Sequence, residues 1–176
     1  MNRIIERPER SEAQEYANSY IDKVEGDDLL ASLRRIHDHT WKSLSDLRVS
    51  PDHRYAPKKW SIKEVVQHLI DTERIFCFRA LAFARGEKQE LPGFKENKYA
   101  IAARTDQRDF GDIMKEFDVV RASTRELYQS FDEEMQLASG VANKERISVR
   151  ALGWMLAGHE MHHVNVIKER YLVQDL

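Results

Sequence analysis

Gly158-His159-Glu160-Met161-His162-His163 is the stretch on which the reading of this chain turns. It lies in a run predicted to be helical from a Ser148 cap to about residue 172. On a helix, residues four apart share a face, so His159 and His163 point the same way. Leu152, Met155, Leu156, Val166 and Ile167 recur around them at helical spacing and mark that face as the one turned to a core. Imidazoles planted in an apolar stripe need a partner. A transition metal is a good one, because neutral imidazole ligates zinc, nickel and iron.

Working outward, the rest of the chain predicts the setting for such a site. It has 176 residues, 33% charged and 41% hydrophobic, with 7 Gly and 4 Pro. That mixture suits one helix-rich domain over residues 1–176 with a single core, residues 1–25 forming a lead segment. The formal net charge of -2 gives no reason to expect nucleic acid as a partner. No apolar run approaches the roughly 20 residues a membrane helix needs. The start, MNRIIERPER, is polar and lacks the apolar core of a secretory signal. Cys77 is the one cysteine, which excludes an intramolecular disulfide and a cysteine-built zinc knuckle. A cytoplasmic protein is the expectation.

Four long amphipathic patterns dominate. The first runs over about 27–47, with a short leading helix within 9–23. Residues 48–60 read as a loop punctuated by Pro51 and Pro57. Ser61-Ile62-Lys63-Glu64 fits a capping box and starts the second helix, which should end near Gly86. Residues 87–108 form a connection long enough to carry function or to cross the bundle. A third helix covers about 109–131, and a connection containing Gly140 leads to the fourth. No segment alternates at period two, so no sheet is expected. The fold class is all-α, a four-helix bundle.

Two histidines make half a metal site; a catalytic zinc usually has three protein ligands and an open position. His68, at the edge of the second helix's apolar stripe, is the chosen third ligand. His37 and His162 compete with it and with His163. A lone core histidine is ordinarily structural, hydrogen-bonded to a carbonyl or carboxylate. Glu73 also falls on an apolar face and needs a partner. It either serves the site, as metal ligand, orienting group or proton acceptor, or pairs with an arginine such as Arg121 or Arg170. Cys77 and the rings of Trp60 and Trp154 read as packing groups.

His159-Glu160-x-x-His163 also matches the zinc metalloprotease helix, in which the Glu activates water. Only 13 residues follow His163. Glu169 is too near along the same helix to return to the metal, and a peptide-binding edge strand is not expected. The protease reading is the weaker one. Glu160, at the border of the core face, remains a candidate general base with Glu73.

Trp60-Ser61-x-x-Glu64-x-x-x-His68-Leu69-x-Asp71-x-Glu73, followed downstream by Gly158-His159-Glu160-x-His162-His163, resembles the DinB-like superfamily, including its YfiT-like metal-dependent members. The resemblance spans nearly the whole chain. It implies a bundle of non-sequential, up-down-down-up topology and a divalent metal, zinc or nickel, held by His68, His159 and His163. It further implies thiol-dependent transferases and isomerases that use bacillithiol, mycothiol or glutathione, acting on small-molecule substrates, and is consistent with a homodimer. The expected function is therefore a metal-dependent S-transferase or hydrolase with a low-molecular-weight thiol as cosubstrate. Lys58, Lys59 and Arg79 are candidates for holding such a thiol's carboxylates. The alternative is a non-catalytic metal or small-molecule binding protein of the stress-response type, marked by a closed site with Glu73 or His162 as a fourth ligand.

Overall fold

The computed structural model describes residues 4–172; the first three residues of the lead segment and the last four of the chain lie outside the described residues. Four long helices form a bundle: α2 (Leu29–Ser45), α3 (Ile62–Ala84), α5 (Phe110–Gln129) and α7 (Val149–Val166). Short helices α1 (Glu15–Ile21), α4 (Glu96–Ala102) and α6 (Glu133–Leu137) decorate the connections. The starts are set by side chains that satisfy otherwise unpaired amides. Asp28, Asp109 and Ser148 accept from Leu30 N, Gly111 N and Ala151 N. At Ser61 the capping box is complete, its Oγ accepting from Glu64 N (3.2 Å) and the Glu64 carboxylate from Ser61 N (2.6 Å). α3 ends just before Gly86, whose φ of +84° suits the residue after a helix.

Of the three pairs of long helices consecutive in sequence, only α3 and α5 are neighbours around the bundle. α3 packs on α5 and α7, and α2 packs on those same two helices. Thus α2 stands diagonally from α3, and α5 from α7. The long connections make this arrangement feasible.

Apolar side chains gather in two clusters. One joins α1, the start of α2, the ends of α3 and α5 and the first half of α7, around Trp154, Phe83 and Tyr128. The other joins the start of α3 to α5 and Tyr171, around Ile62, Ile70 and Phe117. Burying that many large side chains is the main stabilising term. Buried polar residues, including His37, His68, Glu73, Arg121, His159 and Glu160, come from these same helices.

Two features differ from expectation. Residues 87–108 contain α4 and a short 3-10 turn (Thr105–Gln107) instead of open loop. A two-stranded antiparallel hairpin, β1 (Ser139–Ala142) with β2 (Glu145–Ser148), stands where no sheet was expected. Four-residue strands are too short to show alternation. Their turn uses Asn143 and Lys144, both at positive φ (53° and 67°), without the glycine that usually announces such a turn. Leu91 adds to β1, donating to Val141 O and accepting from Asn143 N, both at 2.9 Å. Among the described residues no helix is long and apolar enough to cross a membrane.

Candidate metal centre

His68, His159 and His163 converge. The Nε2 atoms of His68 and His163 each lie 3.1 Å from Nε2 of His159. One ligand atom from each of the three lies within 4.8 Å of the others, the single such grouping among the described residues. The Ser61 cap sets the phase of α3 seven residues before His68, and the Ser148 cap sets α7 eleven before His159.

Burial holds all three rings neutral. It lowers the pKa of His68 to about 4. Burial, with the nearby His68 and His162, lowers His163 to about 3. His159 is driven well below its ordinary value by burial and then by its three histidine neighbours. Three neutral imidazoles aimed at one point are a metal's donor set; their lone pairs repel one another unless a cation or shared proton lies between them. Thr72 Oγ1 stands 3.4 Å from Nδ1 of His68, within reach of a hydrogen bond that holds the ring's orientation with Nε2 turned to the other histidines. Nδ1 of His159 is buried without a hydrogen-bond partner among the described residues, so Nε2 carries that ring's polar contacts. The residues present therefore fit a divalent transition metal.

The competitors go elsewhere. His37 meets Asp118 Oδ1 at 3.1 Å and packs its ring 4.7 Å from Phe117. His162 turns its ring toward Tyr20 and is outside the converging set. Trp60, read as a packing group, packs its ring 4.8 Å from that of His68 and so flanks the centre. Trp154 is wholly buried, with Nε1 donating to Glu6 O. Cys77 contacts Thr124 Oγ1 at 3.2 Å, and burial raises its thiol to about 11.

Glu73 and Glu160, the expected catalytic carboxylates, meet a common partner. Arg121 donates from Nε and Nη2 to the two oxygens of Glu73, both at 2.8 Å, and from Nη1 to Leu33 O. Its Nη2 also stands 2.8 Å from Glu160 Oε2, near enough for an ion pair but off line for a hydrogen bond, and neither Glu160 oxygen has one among the described residues. Both carboxylates are 1% exposed, and neither lines the cleft beside the histidines. Burial would lower the Arg121 pKa, but the charges of Glu160 and Glu73 outweigh it and raise it. Glu160 is thus turned away from the place where a zinc protease would use it.

A cleft of about 390 Å³ adjoins the centre, with His68 and His159 in its wall. Phe76, Leu152 and Met155 give it an apolar lining, and Arg79 is its buried cation. Tyr16, Phe94 and Arg146 come from α1, the long connection and the hairpin. None of these three was a candidate in sequence. The length of the 87–108 connection was the one available signal. α1 can lie against α7 because of Gly158: a Cβ there would sit 1.9 Å from Tyr20 O.

A helical bundle with a three-imidazole centre beside a cleft is the class that fold and site define. The chain belongs to the DinB superfamily, whose sequence model matches residues 29–167. Among solved structures it is similar to YfiT from Bacillus subtilis, described as a probable metal-dependent hydrolase with an unusual four-helix bundle topology. The TM-score is 0.72 at 16% identity, over 94% of this chain and 91% of that one. It is also similar to a mycothiol-dependent maleylpyruvate isomerase, with TM-score 0.64 at 13% identity, over 78% of this chain and 58% of that one. No curated protein matches the chain significantly.

Proposed function

We propose that this chain is a metal-dependent enzyme acting on small molecules, a thiol S-transferase or hydrolase, with His68, His159 and His163 holding a zinc or nickel ion. One observation carries the reading: three neutral Nε2 atoms converge at the wall of a cleft, while the candidate fourth ligands are engaged or turned away. Three protein donors beside an open space are the pattern of a catalytic site rather than a structural one. A divalent ion bound there supplies Lewis acidity, lowering the pKa of a thiol or water that enters from the cleft.

The chain's own residues do the rest. Burial keeps the imidazoles unprotonated at neutral pH. Thr72 orients His68. Phe76, Leu152 and Met155 offer the apolar part of a substrate a surface beside the histidines. Glu73 and Glu160 serve through Arg121 as a brace across the helices that carry the ligands, rather than as general bases. A low-molecular-weight thiol such as bacillithiol, mycothiol or glutathione is the proposed cosubstrate of the transferase reaction. The likeness to a mycothiol-dependent isomerase supports that choice at the level of fold.

Elemental analysis of untagged protein beside the His159→Gln variant tests the reading. About one divalent ion per chain in the wild type, lost in the variant, is expected. No metal in either, and none taken up from added zinc or nickel, refutes it.

A further inference from the structure

Arg79 is 7% exposed and faces the same cleft as His68 and His159. A guanidinium has five N–H donors. Here one bond accounts for Nη2, which donates to Pro92 O at 2.9 Å, and the group lies 5.5 Å from the centre of the Phe76 ring. Among the described residues no carboxylate pairs with it. Glu96 and Glu145 contribute to the cleft wall, but both are exposed side chains. Burial, unopposed by any neighbouring acid, lowers the Arg79 pKa. An unpaired buried cation is costly unless something neutralises it. Tethering Pro92 needs one donor and no charge.

The placement is specific. His68 and Arg79 are eleven residues apart on α3, three helical turns, so they share a face with roughly 16 Å of rise between them. Both side chains lean toward the N-terminus, the longer Arg79 further than His68, which shortens the gap by a few ångström. Phe76, Leu152 and Met155 line the cleft these two residues share.

We propose that the cleft takes an elongated anionic ligand whose carboxylate is bound by Arg79 while its thiol or other reacting group lies at the three histidines, with an apolar spacer between. This rests on the metal-centre reading above and names the substrate class for it. Arg79 is then a specificity-determining residue, placed three turns from the chemistry.

The test uses ω-mercaptohexanoate and ω-mercaptohexanol, matched thiols that differ in bearing a carboxylate or a hydroxyl. Calorimetry measures both against wild type, Arg79→Gln and Arg79→Lys, each metal-free and zinc-loaded. The wild type is expected to prefer the acid by about tenfold in both metal states. Arg79→Gln should erase that preference without weakening the alcohol, and Arg79→Lys should keep part of it. A wild type that does not distinguish the two thiols overturns the proposal. So does an Arg79→Gln variant that weakens both equally, which is the behaviour of a mere tether. If Arg79→Gln does not fold, Arg79→Lys decides: an acid preference that falls below the wild-type value while the alcohol binds unchanged supports the proposal, and one left at the wild-type value overturns it. The metal reading fails separately, if zinc tightens neither thiol while the acid preference stands.

Discussion

Residues 159 and 160 are neighbours in the chain and members of two different polar clusters. His159 belongs to a group that is neutral, convergent and open to a cleft. Glu160 belongs to one that is charged, paired through Arg121 and sealed from solvent. About 100° of helical turn separates the two directions. The contrast teaches that buried polarity has two economies in this fold. In the first, desolvation strips protons from the rings and leaves lone pairs free for an incoming group. In the second, opposite charges satisfy one another and leave little for a substrate.

Breaking the charged cluster should give the largest effect. Arg121→Met leaves two buried carboxylates without their cation and is expected to cost about 3–5 kcal/mol of stability, read by urea denaturation. Replacing Glu73 and Glu160 by apolar residues in that background should recover most of the loss. If the triple variant is no more stable than Arg121→Met, the brace is not a charge-pairing device.

Breaking the neutral cluster should touch binding instead. His68→Gln is expected to abolish retention of zinc or nickel through gel filtration, while circular dichroism and the melting transition of the metal-free protein stay close to wild type. A variant that unfolds outright would make the imidazoles structural.

Acid separates the clusters further. The folded pKa values of His68 and His163, about 4 and about 3, lie below the ordinary 6.5. Between about 6.5 and 4 the unfolded chain therefore binds more protons than the folded one, and stability rises with pH. Metal-free protein should keep full stability at pH 7 and lose it progressively as the pH falls through that window, with metal retention lost over the same descent. Denaturant midpoints measured every half unit check this, and His159→Gln should show a shallower slope. A flat profile across the window contradicts the burial argument.

The smallest effect is expected at Cys77, which belongs to neither cluster. Cys77→Ser should leave metal content unchanged and shift stability by about 1 kcal/mol or less. Slow alkylation of the native thiol at neutral pH would agree with its raised pKa.

The cluster of three histidines was legible in the sequence because its parts obey local periodicity. His159 and His163 follow from a four-residue spacing on an apolar stripe, and His68 from its place on another. The family motif then ranked them above His37 and His162. Glu73 was recognisable as a buried carboxylate, but its partner was not, because a helix's own pattern carries no information about the rotational phase of the helix opposite. Arg121 was one of two arginines that served equally well until α5 was seen to face α3. The cleft walls were the least legible. Tyr16, Phe94 and Arg146 come from a weak leading helix, an irregular crossover and a hairpin of four-residue strands, none of which has a period long enough to read.

Gly158 shows what that division of labour means for descent. The absence of a side chain beside the first α7 histidine lets the backbone of α1 settle on α7. Yet α1 lies wholly before residue 29, outside the stretch that the superfamily's pattern matches. Gly158 itself lies inside that stretch, so the seat for α1 belongs to the matched framework although α1 does not. Tyr20 of that seven-residue helix packs its ring 5.6 Å from those of His159 and His162, so a change in α1 reaches the imidazoles as well as the flank of the cleft.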